Sequence, residues 1–190
     1  DETVLNFMGG REFESSLAAN ETVDCTVAFF DICGFTSISE NESPDRVVKL
    51  LNSYFDVMVK EIIAQGGYID KFIGDAIMAV FRGEYHLDRA IDAALSVRAK
   101  IAQLPKELDQ NAFTPNVSIG INSGEMISGN IGSATLRRLD YTVIGDVVNT
   151  AQRLQSAAQP GQILINESSY QKVKESFSCK PVGELHLKNK

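Results

Sequence analysis

Two short strand-like runs, Tyr68–Ile73 and Ala76–Phe81, are separated only by Gly74-Asp75. Two residues with glycine first are the length and composition of a type II′ turn, so the runs are expected to pair as an antiparallel hairpin. Strand and helix patterns alternate around it. Val23–Phe30 reads as a strand. Ser43-Pro44 opens a helix, with Ser43 as N-cap and Pro44 at the first helical position. Val47, Leu51, Tyr54, Met58 and Ile62 then recur at helical spacing until Gln65-Gly66-Gly67 ends it. Leu87–Leu104, Asp146–Ala158 and the shorter Ser168–Glu175 read as further helices. Val117–Ile121 and Met126–Ile131 read as a strand pair turning at Asn122-Ser123-Gly124. Ser133–Tyr141 reads as a polar loop with Arg137 and Arg138, and Thr142–Ile144, Gln162–Ile165 and Glu184–Leu187 as short strands. Several strands joined by hairpins favour an α+β sandwich with a mixed or antiparallel sheet over an all-parallel one. Residues 1–22 are polar and irregular, with a short helix expected near Glu12–Ala19, and read as a lead-in or linker. Residues 23–190 then form one domain with a sizeable core.

Composition narrows the partners. The formal net charge of -7 argues against nucleic acid, whose phosphates need a basic footprint. It leaves room for nucleotides whose phosphates are covered by metal ions. Three cysteines at no metal-type spacing fit a reducing compartment, and His86 and His186 stand apart from any strong motif. No apolar run approaches the ~20 residues of a membrane span, so no direct membrane contact is expected of this domain. The chain starts at Asp1 and stops at Lys190, and reads as the cytoplasmic domain of a longer protein with upstream regulatory domains.

The residues with chemical potential begin with Phe29-Phe30-Asp31-Ile32-Cys33-Gly34-Phe35-Thr36, an apolar strand ending in an acid and a glycine turn. An acid there can face a cleft while nearby amides bind phosphate; equally, it can simply start a turn. Asp75 lies at the hairpin tip. If the two strands are neighbours, Asp31 and Asp75 converge as hard oxygen ligands of the kind that hold Mg²⁺ or Mn²⁺. Lys71 is either a solvent-facing strand lysine or a donor to a ring nitrogen of a bound base. Asn149 and Arg153, four residues apart, share a helix face, either as plain surface polarity or as a sugar-orienting amide and a phosphate-neutralising cation.

Together these residues resemble the class III nucleotidyl cyclase catalytic domain. Four ordered stretches carry the resemblance: Phe30–Thr36, Asp70–Ala76, Thr142–Asp146 and Val148–Arg153. It implies a palm-like α+β sandwich with a ferredoxin-like βαββαβ core and a mixed, mainly antiparallel sheet flanked by helices. It implies that Asp31, Asp75 and the Ile32 carbonyl hold two Mg²⁺ or Mn²⁺ ions. Cys33, Gly34, Phe35 and Thr36 would lie under the β- and γ-phosphates, with Lys188 contacting terminal phosphates. Lys71 and Thr142 would read the purine, and Asn149 and Arg153 would orient the ribose and stabilise the transition state.

The Lys/Thr pair implies ATP as substrate, because lysine can donate to adenine N1 while threonine accepts from N6–H₂. The implied activity is that of an adenylyl cyclase making 3′,5′-cyclic AMP and pyrophosphate. The alternatives are a guanylyl or dual-specificity cyclase, or an inactive cyclase-like dimerisation module. The resemblance further implies a head-to-tail homodimer with sites at the interface. The Lys/Thr subgroup also resembles bicarbonate-responsive cyclases, which makes bicarbonate an expected effector. Glu125 departs from relatives that carry a basic residue there.

Overall fold

A computed structural model describes residues 20–104, 116–133 and 138–186. Its elements in chain order are β1 (Glu21–Ile32), α1 (Phe35–Asn41), α2 (Pro44–Ala64), β2 (Tyr68–Ile73), β3 (Ala76–Phe81), α3 (His86–Gln103), β4 (Val117–Ser133), β5 (Arg138–Ile144), α4 (Asp146–Ala157), β6 (Ile163–Ile165) and α5 (Glu167–Val173). The sheet order is β2-β3-β1-β4-β5, with β6 also pairing β4. Strands β1 to β4 are antiparallel to their neighbours, and only β6 on β4 is parallel. The order β2-β3-β1-β4 with intervening helices is the ferredoxin-like βαββαβ arrangement that the family resemblance implies.

The strand β1 is the spine, because its side chains alternate between two apolar layers. Ala28, Phe30 and Ile32 pack with Met58 and Ile62 of α2 and with Val97 and Ile101 of α3. Cys25, Val27 and Phe29 face the other way, with Met78, Val143 and Ala151 of α4. Helix α4 covers this second side. There α4 approaches β4 so closely that a Cβ on Gly120 would sit 2.2 Å from the Gln155 nitrogen.

The expected hairpin turn forms, with Gly74 at φ 60° and a non-positive φ at Asp75, as type II′ requires. Pro44 begins α2 as expected, and Gly66 at φ 74° follows its end. Several expectations are corrected. Asn122-Ser123-Gly124 is no turn: β4 is continuous, and these residues pair with Val27, Thr26 and Cys25. Their polarity is used inside the fold. The Asn122 side chain donates to the Val147 carbonyl at 3.2 Å and accepts from Asn166 at 3.0 Å, while Thr26 donates to Ser123 at 3.1 Å.

In the segment Ser133–Tyr141, expected as a loop, the described residues, Ser133 and Arg138–Tyr141, are strand. Ser133 pairs with Arg138, and the ladder runs on to Ile127↔Ile144. Arg137 lies outside the described residues. The tail expected as a strand has no regular structure through His186, and Leu187 is outside the described residues. The strand β1 also begins earlier and ends later than expected, so Asp31 is still paired. The proposed lead-in helix near Glu12–Ala19 lies outside the described residues. No described helix is long and apolar enough to cross a membrane.

Candidate active site

The β1–β3 register sets Asp31 opposite Ala76, which brings it beside Asp75 at the turn. The Ile32 amide donates to the Asp75 carbonyl at 3.4 Å. Burial, then the charge of Asp75 and a hydrogen bond with its carboxyl, push the Asp31 carboxyl up to about 6. Gln155 of α4 donates to Asp31 Oδ2 at 3.4 Å and to the Ser118 hydroxyl at 2.9 Å, tying the acid to the start of β4. Two adjoining carboxylates that resist ionising together are a site where a divalent cation lowers the energy. Their oxygens suit Mg²⁺ or Mn²⁺. Among the described residues no group of three or more His, Cys, Asp or Glu side chains surrounds one point. A cation here would therefore rest on these two acids and on main-chain or ligand oxygens.

The turn after β1 follows from Gly34, whose φ of 76° suits glycine and which caps α1. The amide of Cys33 is consumed by the Asn116 carbonyl at 2.9 Å. Those of Gly34, Phe35 and Thr36 have no backbone acceptor among the described residues, as first-turn amides normally do not. Phe35 itself is buried and anchors the turn. Burial above all, with Asp31 and Asp75 nearby, raises the Cys33 thiol, so it is a poor nucleophile.

On the same side of the sheet lies a cleft of about 420 Å³ between β2, β3 and the start of α4. Phe29, Met78 and Val143 line it with apolar surface, and Lys71, Asn149 and Gln152 supply its polar groups. Lys71 reaches the cleft through a β-bulge. The β2–β3 register shifts between Ile69 and Lys71, so Asp70 is an extra residue in the strand. Strict alternation would put Asp70 and Lys71 on opposite faces. Instead, Asp70 meets Thr142 of β5, where Thr142 Oγ1 donates to Asp70 Oδ2 at 2.8 Å. The Lys71 ammonium lies 3.4 Å from the same oxygen. Tyr141 accepts from Arg82 at 2.9 Å and from Ser128 at 2.8 Å, which holds β5 over this end of β3.

The structure thus sorts the expected site residues into two sets. Asp31, Ile32 and Asp75 stand together at the hairpin edge, next to the Cys33–Thr36 turn. Lys71 and Asn149 line the cleft, with Thr142 linked to Lys71 through Asp70. Arg153, one turn beyond Asn149, is half-buried and does not line the cleft. No hydrogen bond or ion pair joins the two sets among the described residues. Helix α4 runs past both, with Asn149 near its start and Gln155 near its end. Lys188 lies outside the described residues. Asp70 and Gln155 have no role in the sequence-based reading. The bulge that turns Asp70 inward leaves no mark in an alternating pattern, and Gln155 matters only once α4 is docked on β4.

The family model of the adenylate and guanylate cyclase catalytic domain matches residues 17–190. An adenylate cyclase of Anabaena cylindrica is 38% identical over 181 residues, covering 92% of this chain and 35% of its own length. The chain therefore spans about a third of the length of the curated relatives it matches. Among solved structures, the adenylyl cyclase CyaB from P. aeruginosa superposes with a TM-score of 0.82 at 32% identity, covering 90% of both chains. The guanylate cyclase domain of RhGC from Catenaria anguillulae, solved in complex with GTP, gives 0.79 at 30% identity, covering 90% of this chain and 93% of that one.

Proposed function

The chain belongs to the adenylate and guanylate cyclase catalytic domain family, and on that premise we propose that it is an adenylyl cyclase that converts ATP to 3′,5′-cyclic AMP and pyrophosphate. The fold is shared with a domain solved with GTP, so it does not choose the base. The observation that carries the choice is the pairing of Lys71 and Thr142 through one carboxylate at the edge of the cleft. A lysine donor beside a hydroxyl acceptor matches adenine N1 and N6–H₂. In the same pose guanine presents a protonated N1 and an O6 acceptor, leaving groups unpaired.

In this reading Asp31, Asp75 and the Ile32 carbonyl would hold two Mg²⁺ or Mn²⁺ ions. When bound, these activate the ribose 3′-oxygen and neutralise the triphosphate. The Gly34–Thr36 amides face the β- and γ-phosphates, and Lys188 adds charge there. The 3′-oxygen attacks the α-phosphorus in line and pyrophosphate leaves. Asn149 orients the ribose, and Arg153 stabilises the charge that builds on the α-phosphoryl group. The cleft residues of one protomer act with the acids of another, so the active form is a homodimer with two equivalent sites. That arrangement accounts for the separation of the two sets within one chain.

Bicarbonate is carried as an effector of the same site, and a flat response at fixed pH and ionic strength removes it. The main test is cyclic nucleotide formation from ATP and from GTP, with Mg²⁺ and with Mn²⁺. Predominant cyclic GMP overturns the assignment of Lys71 and Thr142.

A further inference from the structure

We propose that Asp70 sets the purine preference by fixing the Thr142 hydroxyl as an acceptor and holding Lys71 beside it. The inference rests on the reading of the cleft as a purine site, and goes beyond it by naming what decides between purines. A threonine hydroxyl carries one proton and two acceptor sites. Alone it is ambiguous, since it can accept from adenine N6–H₂ or donate to guanine O6. A carboxylate can only accept. At 2.8 Å, Asp70 Oδ2 takes the single Thr142 proton, which leaves Thr142 nothing but lone pairs to offer a ligand. The same oxygen lies 3.4 Å from the Lys71 ammonium, which keeps further protons for a ring acceptor. The outcome is an ordered donor–acceptor pair, where the two side chains by themselves would be permissive.

Burial makes the arrangement specific. The Asp70 side chain is 0% exposed, while Lys71 stays 46% exposed and able to meet a ligand. Thr142 is 5% exposed, so water competes little for its hydroxyl. Asp70 Oδ1 is buried with no hydrogen-bond partner, a cost that an ordinary core position would not carry. The bulge between Ile69 and Lys71 places both residues on the cleft side. Asp70 is thus a positioning residue that acts through Thr142 and Lys71.

The test compares kcat/KM for ATP and for GTP in the full chain, taken as a ratio on one preparation so that the folded fraction cancels. In Asp70→Asn the amide can donate to Thr142, freeing its proton to point at a ligand. The ATP:GTP ratio is expected to fall by about tenfold, the worth of one hydrogen bond in a desolvated site. Thr142→Val removes the hydroxyl. It should lower ATP use with little effect on GTP, and adding Asp70→Asn to it should change the ratio less than Asp70→Asn does in the parent, since only the hold on Lys71 is then left to lose. A purely structural Asp70 would reduce both substrates alike. An unchanged ratio in Asp70→Asn, or equal losses for both substrates in Thr142→Val, overturns the proposal and leaves the adenylyl reading standing. If Asp70→Asn does not fold, the Thr142→Val ratio decides alone. A parent chain that prefers GTP overturns both.

Discussion

Asp31 is the residue whose ionisation reports most directly on the site. Its carboxyl sits at about 6 against an ordinary 3.8, with burial as the first cause and Asp75 as the second. Without metal, the folded chain therefore holds a proton that the unfolded chain has released. The stability this contributes is present below about pH 4 and is lost as pH rises through about 6. Thermal melts of the metal-free parent and of Asp31→Asn should diverge in that window, the parent losing ground as pH rises. Bound Mn²⁺ favours the ionised pair, so its stabilising effect should grow as pH rises through the same value. A difference between parent and variant that is flat with pH overturns the raised Asp31 carboxyl. Asp31 and Asp75 were legible from the sequence as acids at a strand end and a hairpin tip that converge if their strands are neighbours, as the register makes them. Asp70 was not, because its importance lies in a backbone irregularity and a partner 72 residues away.

At the scale of elements, α4 is the piece on which both halves of the site depend. It presents Asn149 to the cleft and Gln155 to Asp31, and it lies on β4 only because position 120 lacks a side chain. A Cβ there would meet the Gln155 nitrogen at 2.2 Å and the Ala151 carbonyl oxygen at 2.4 Å. Neither backbone atom can rotate away, so Gly120→Ala must lift the helix. The expected cost is about 3 kcal/mol, at the upper end for overpacking, read as a lower urea midpoint with an unchanged slope. Cyclic AMP formation per folded molecule should fall as well, since Asn149, Arg153 and Gln155 move together. Wild-type turnover by a destabilised Gly120→Ala would show that the seating of α4 does not matter for function. Helices α2 to α5 were legible from periodicity and caps, whereas α1, the seven residues after the Gly34 turn, was not expected. The single strand β4 was not, because Asn122-Ser123-Gly124 has the composition of a turn and only its partners show otherwise.

At the scale of the whole molecule, the separation of acids from cleft predicts intersubunit complementation. Asp31→Ala and Arg153→Ala should each be inactive as homodimers. Mixed and allowed to exchange, they form heterodimers with one intact composite site. Random pairing in a C₂ dimer then restores roughly a quarter of parental activity. Parental specific activity should also rise with protein concentration towards a plateau, as mass action on a dimer requires. No recovery on mixing, with exchange verified, would place the whole site within one chain.

The sequence by itself determined the hairpin, the longer helices and the α+β class, and it nominated candidate site residues without Asp70 or Gln155. These depend on local rules: glycine at a two-residue turn, apolar spacing of 3.6, an acid at a strand's end. Tertiary structure alone decided which of those residues meet. It aligned Asp31 with Asp75 by strand register, bent β2 so that Asp70 and Lys71 share a face, and carried β5 back over the sheet to put Thr142 against Asp70. Those contacts join strands that lie far apart along the chain, where no short-range pattern can specify a partner.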